Sequence, residues 1–209
     1  MRTLSLFIFL TFSLFSKDYA MISKEIKINS FKKLNLDLPA KFLFYSNQKN
    51  NSVTLKMDRA FLDAVDITVK RDQLYIKASK NINTTLPITV IIHSKYYGLE
   101  EIVVQGVTDL NVDFIQTNHL SLISDGVSEI SFKRGVINQL SINAKEDYII
   151  NFLNTDIKRA LIEAEDTGEI MLNVSTLLNV KLSDLAKVSY HGHAKVIQNL
   201  EELTELQKR

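Results

Sequence analysis

The chain contains no cysteine. That excludes disulfides and a lipid anchor on an N-terminal cysteine, so stability must come from core packing. Export without disulfides fits a bacterial envelope better than a small secreted eukaryotic module. Only 2 prolines and 6 glycines occur in 209 residues, few for an all-β protein built on tight turns. A dominant charge is also missing, because the formal net charge is +1. The first twenty residues contain Arg2, Lys17 and Asp18, so the remainder is neutral. Neutrality argues against nucleic acid or anionic lipid as the main partner. What is present is 45% apolar and 23% charged residues, which excludes a wholly disordered chain.

The first twenty residues differ in kind from the rest. Arg2 supplies a positive start, and Leu4 to Phe15 form a 12-residue apolar run broken only by Ser5, Thr11 and Ser13. That is the length of a secretory signal's apolar region and too short to span a bilayer comfortably. Residues 1–20 are therefore expected to be a signal peptide, with an uncleaved signal anchor as the alternative, because Asp18 occupies a position where a small residue is wanted. The mature chain, 21–209, is expected to be a single domain with no integral membrane span.

Between about residues 100 and 195 the sequence repeats. Leu110 is followed by Ile130, Ile150 and Ile170 at intervals of 20, then by Val188 after 18. Eight positions before these sit Ile102, Leu122, Ile142, Ile162 and Val180. Two positions after them sit Val112, Phe132, Phe152, Leu172 and Tyr190. A fourth apolar column runs through Ile137, Ile157 and Leu177. A fixed period near 20 with i, i+2 apolar pairs marks a stacked coil that contains strand. The predicted fold is an all-β parallel β-helix; a β-sandwich of paired hairpins is the alternative, decided by whether Phe132 and Phe152 pair in parallel.

Upstream, alternating runs at Ile26–Ile28, Leu34–Leu38, Val53–Met57, Ile67–Val69, Leu74–Ile76 and Ile88–Ile92 predict short strands buried on one face. Lys70 to Gln73 reads as a hairpin turn although no glycine marks it, and Asp58 to Ala64 as a single helical turn. Downstream, Leu200, Leu203 and Leu206 recur every three residues, with Asn199 as an N-cap and Lys208 and Arg209 last. This predicts a short C-terminal helix over Asn199–Arg209 that closes the end of the solenoid.

The order of these strands resembles a known family. The Phe-led strand from Phe31 to Leu38, the hairpin into Leu74-Tyr75-Ile76 and Pro87-Ile88-Thr89-Val90 precede a ladder of rungs. The closing stretch Val188-Ser189-Tyr190-His191-Gly192-His193-Ala194-Lys195-Val196 looks like V-x-Y-x-G-x-P-x-V, with Ala194 where proline is usual. Over about residues 31–197 the chain resembles the family described as putative auto-transporter adhesin, head GIN domain. The family's Ser-Gly-Ser-Gly corners are represented here only by Ser124-Asp125-Gly126 and Thr167-Gly168. The resemblance implies a right-handed β-helical fold and export to the periplasm, the cell surface or the medium. It implies no reaction, and no site residues carry over.

Candidate chemistry is sparse. His191 and His193 flank Gly192 and would need a third ligand, such as His93 or His119, to hold a metal; a solvated edge turn is the simpler reading. The Phe132, Phe152, Leu172, Tyr190 column could be a sugar platform, but its i+2 relation to an aliphatic column places it inside. Four positions after Ile102 and its successors stand Gly106, Gly126, Glu146, Asp166 and Asp184. Three consecutive carboxylates at one corner would repel at a coil spacing of ~4.8 Å. They can splay into water, pair with Lys145 and Lys187, or bind a cation such as calcium. No catalytic, metal-binding or cofactor-binding residue is assigned. The expected role is non-catalytic binding or scaffolding of an envelope or extracellular ligand, protein or glycan; the alternative is a polysaccharide-processing enzyme using surface carboxylates.

Overall fold

The computed structural model describes residues 20–209; the apolar segment read as a signal peptide lies outside them except for Ala20. Period-2 patterning fills the described residues with strands. The N-terminal part supplies β1 (Met21–Lys27), β2 (Lys33–Asp37), β3 (Ala40–Tyr45), β4 (Ser52–Asp58), β5 (Val65–Lys70), β6 (Gln73–Ala78) and β7 (Thr89–His93). The repeats supply β8 (Glu101–Gln105), β9 (Thr108–Val112), β10 (Ile115–Asp125), β11 (Ser128–Phe132), β12 (Gly135–Lys145), β13 (Asp147–Ala164), β14 (Thr167–Leu182) and β15 (Lys187–His191). β16 (Lys195–Leu200) and β17 (Glu205–Lys208) follow. The expected helical turn is a 3-10 helix over Arg59–Ala64, capped by the Asp58 carboxylate, which accepts from the Ala60 N–H at 3.0 Å.

The strands wind into an all-β solenoid of about 5 turns. Each full coil contributes to three pairing strips. On the first strip, Leu34, Ile102, Leu122, Ile142, Ile162 and Val180 stack in parallel register. On the second, Phe42, Leu110, Ile130, Ile150, Ile170, Val188 and Leu206 do the same. The third joins the starts of β10 and β12 to the middle of β13 and β14. β11 and β13 pair in parallel, which places Phe132 over Phe152 and excludes the sandwich. Their rings stack with centroids 4.0 Å apart and 14° between planes.

The N-terminal part departs from pure parallel winding. β4 pairs antiparallel with both β1 and β7, and β5 with β6, so the first coils are closed by hairpin-like returns. The β5–β6 turn uses Arg71 and Asp72 at φ 49° and 61°, a left-handed pair where glycine or asparagine is usual. The eight residues expected in the core (Leu122, Ile130, Phe132, Ile142, Ile150, Phe152, Ile162 and Ile170) are all buried. One apolar cluster runs from Phe31 to Tyr190.

Two expectations are corrected. No C-terminal helix forms: Asn199 lies in β16, and the chain turns at Leu203 (φ 74°) into β17. β14 and β15 leave unpaired backbone groups at the end of the stack, and β16 and β17 satisfy them. A ten-residue helix has no comparable gain, being marginal alone in water. The spacing of three arises because Leu200 and Leu206 each point inward from a different strand. The fourth column also ends differently. Ile157 faces Val174, whereas Leu177 faces Arg159. The two-residue shortening of that coil is absorbed here, at an irregularity between Phe152 and Arg159, so the following corner stays in register.

The Thr155 hydroxyl is the one buried side-chain polar atom without a hydrogen-bond partner among the described residues. Thr155→Val is expected to stabilise the fold by ~1 kcal/mol or more, since it removes an unpaired polar group at nearly constant shape. Phe152→Ala should lose ~3–5 kcal/mol by removing half of the central ring stack. Denaturant melts measure both; a loss under about 1 kcal/mol for Phe152→Ala would contradict the ladder.

Candidate functional site: an apolar groove beside an acidic corner

The corner that precedes the second strip dictates its own residues. Gly106, Glu146, Asp166 and Asp184 have φ of 68°, 69°, 61° and 60°, and Gly126 has 133°. A left-handed residue occupies this corner in each coil from β8 to β15, which explains the mixture of glycine and acids. A side chain at Gly126 would bring its Cβ to 2.6 Å from the Gly106 carbonyl oxygen. The coils simply touch there.

Glu146, Asp166 and Asp184 do fall in one exposed column, and their repulsion is relieved in an unanticipated way. The Asp166 carboxylate accepts the Glu146 backbone N–H at 3.0 Å, and the Asp184 carboxylate accepts that of Asp166 at 3.4 Å. Asp166 and Asp184 thus each bind the corner amide of the preceding coil. Of the three ways of relieving the column, lysine pairing is not used: Lys145 holds Glu165 at 3.1 Å, and Lys187 holds Glu205 at 3.6 Å. Among the described residues no three His, Asp or Glu side chains converge as metal ligands.

The histidines stay apart as well. His191 and His193 are exposed, and Gly192 is demanded by its φ of 105° and by contact with the Val174 carbonyl. His119 is exposed on β10, while His93 lies 3.4 Å from the Ser52 hydroxyl. Phe132, Phe152 and Leu172 point inward, so the aromatic column offers no sugar platform.

Immediately after the acidic corner the outward positions form a groove of about 870 Å³. Its apolar surface comes from Val107, Val127, Ile149 and Leu185, exposed by 61%, 50%, 51% and 48%, with Pro39 and Pro87 at its N-terminal end. Asp109, Glu129, Asp147 and Glu169 line it against only Lys41 and Lys187. Lys41 is held by Asp109 at 3.0 Å and Arg209 reaches Glu169 at 3.0 Å, while Glu129 and Asp147 form no ion pair among the described residues. Sequence reasoning followed the inward columns and the acidic corner and missed this site. The period of 20 from Val107 to Val127, two outward apolar residues each just after a corner glycine, was the available signal.

Tyr148 anchors the groove's floor. Its buried ring lies flat against Gly168 of the next coil, where a Cβ would collide with it. Its hydroxyl donates to the Glu165 carbonyl at 3.0 Å. Burial, reinforced by the nearby Asp166, Glu165 and Asp184 carboxylates, pushes its pKa well above the ordinary tyrosine value.

Comparison with known proteins places this geometry in a class. The profile of the family described as putative auto-transporter adhesin, head GIN domain, matches residues 30–194. The chain belongs to that family. Among solved structures, a putative adhesin from Bacteroides fragilis NCTC 9343 superposes with a TM-score of 0.75 at 14% identity, over 93% of this chain and 98% of that one. Putative adhesins from Parabacteroides merdae ATCC 43184 and Parabacteroides distasonis ATCC 8503 give TM-scores of 0.52 and 0.51 at 14% and 17% identity. Each comparison covers 92% of this chain, with 97% and 98% of the respective neighbour. At these identities the likeness is one of fold. No curated protein matches.

The tyrosine sets a pH dependence. With the folded-state pKa raised, its contribution is complete below the unfolded value of ~10 and is lost as pH rises from there through the folded value. Wild type should therefore lose stability above about pH 10 more steeply than Tyr148→Phe, as read from denaturant midpoints at a series of pH values. Parallel curves would contradict this. Glu146→Gly should stabilise by ~1 kcal/mol, because it relieves a left-handed non-glycine residue and removes one charge of the column.

Proposed function

We propose that this is an exported, non-catalytic envelope protein that captures its ligand along the groove beside the acidic corner. The observation that carries the reading is the group of exposed apolar side chains Val107, Val127 and Leu185 at the stacked corners, with Ile149 beside them on β13. Isolated exposed hydrophobics need no explanation, but several gathered along one groove among polar groups mark an interaction surface. Export is supported by the leading apolar run of residues 4–15 and by the family's description as auto-transporter adhesins. No helix among the described residues is long and apolar enough to cross a membrane. We also read the coils as right-handed, the usual sense of a parallel crossover.

The polysaccharide-processing alternative finds less support. A glycosidase needs one carboxylic acid kept protonated by burial and a second placed to act with it. Glu129 and Asp147 are exposed on an open surface. An acidic sugar would also need free cations, and both lysines of the groove are already bound to carboxylates.

A glycan-array screen with product analysis, alongside an apolar fluorescent probe, separates these readings. The proposal expects saturable probe binding that falls at least several-fold in the double variant Val127→Asp/Ile149→Asp, with no cleaved glycan. Turnover of any glycan that is lost in Glu129→Gln or Asp147→Asn would establish the enzyme instead.

A further inference from the structure

The groove carries more information about its occupant than its apolar floor alone. Its charge is one-sided. Glu129 and Asp147 stand without ion pairs among the described residues, and Glu146, Asp166 and Asp184 follow the same edge one residue earlier in each coil. Every lysine near the groove is already engaged: Lys41 with Asp109, Lys145 with Glu165, and Lys187 with Glu205. Asp166 and Asp184 each accept a backbone N–H through one carboxylate oxygen, and both residues are exposed. Exposed apolar side chains with acids on both sides select for a ligand that is apolar on one face and cationic at its margins.

The dimensions select further. From Pro87, which leads into β7, to Leu185, which leads into β15, the groove crosses β7, β3, β9, β11, β13, β14 and β15. Strands spaced ~4.8 Å apart give a length of roughly 29 Å. A helix of about 19 residues has that length, and its turn rises ~5.4 Å, close to the coil spacing. An extended strand repeats its same-face side chains only every ~6.7 Å and falls out of step sooner.

We propose that the groove receives a cationic amphipathic helix of a partner polypeptide, with its apolar face on Val107, Val127, Ile149 and Leu185 and its lysine or arginine side chains on Glu129, Asp147 and the acidic corner. This rests on the reading of the groove as the binding surface and specifies what that surface takes. Helix-in-groove docking of this kind draws affinity from the apolar anchors and orientation from the charged rim. Rim carboxylates on the surface also make the association salt-dependent.

The test uses the mature chain and three probes: a labelled synthetic Leu/Lys amphipathic peptide of about 20 residues, its Leu/Glu counterpart, and phosphatidylcholine vesicles. Fluorescence anisotropy reads the peptides and co-sedimentation reads the vesicles. The expected result is saturable binding of the Leu/Lys peptide, with helical circular dichroism appearing on binding. Val127→Asp/Ile149→Asp should weaken it by about tenfold or more, and Glu129→Lys/Asp147→Lys by about fivefold, with a further loss as salt rises from about 0.1 to 0.5 M. Val136→Asp, on the third strip, should leave it unchanged, and thermal melts report whether each variant is folded. Groove-dependent binding of the Leu/Glu peptide or of the vesicles in place of the Leu/Lys peptide overturns the cationic-helix proposal while leaving the groove as the binding surface. Leu/Lys binding that is indifferent to the Val127/Ile149 substitutions, or no binding by any probe, overturns the proposal and removes its support in the groove.

Discussion

Everything in this molecule depends on coils stacking in register through backbone hydrogen bonds. Parallel pairing at a spacing of ~4.8 Å forces each residue to sit on its counterpart one coil away. The interior then becomes a set of ladders, from Phe42 through Leu110 and Ile150 to Leu206 on one strip and from Leu34 through Leu122 to Val180 on another. With no disulfide, these ladders and the hydrogen bonds between coils hold the fold together. They also explain single residues that look arbitrary in isolation. Gly168 is small because Tyr148 occupies the space above it, and Gly126 because the Gly106 backbone does.

The same rule governs the outside, where it brings both benefit and conflict. Val107 and Val127, one coil apart, become neighbours on the surface and share a groove with Ile149 and Leu185, which no single strand could present. Carboxylates one coil apart become a column of like charge. The conflict is resolved locally, because a left-handed corner turns its amide toward the acid of the next coil. A hydrogen bond from a backbone amide to an ionised carboxylate is stronger than one between neutral groups, and it compensates a repulsion that exposure has already weakened. Corner and groove are therefore two readings of one geometric constraint.

The inward ladders were legible from the sequence because burial demands the same residue class in every coil. The N-terminal members were harder to see. The antiparallel excursions of β4 and β5 lie between Phe42 and Leu110, so no fixed interval links them. The C-terminal strands were misread as a helix because a turn at Leu203 inserts an exposed leucine between two inward ones, which imitates helical spacing. The last coil's shortening could be counted but not located; only strand pairing shows that it falls between Phe152 and Arg159 rather than at the acidic corner. The groove was invisible to a search for buried columns. Its positions run Val107, Val127, Asp147, Thr167 and Leu185, a mixture that solvent tolerates and that acquires meaning only beside Ile149 and the neighbouring acids.

In-register stacking is testable directly, because the chain offers no cysteine to interfere. Glu129 and Ile149 are direct partners across β11 and β13, and both are exposed on the groove. Their Cα separation, about 4.8 Å for paired strands, lies within the span a disulfide tolerates. The pair Glu129→Cys/Ile149→Cys should oxidise readily to an intramolecular disulfide without loss of the native fold, whereas Glu129→Cys/Asn151→Cys, offset by two residues, should cross-link poorly. Equal cross-linking by both pairs, or none by the first, would contradict the register on which the ladders, the acidic corner and the groove all rest.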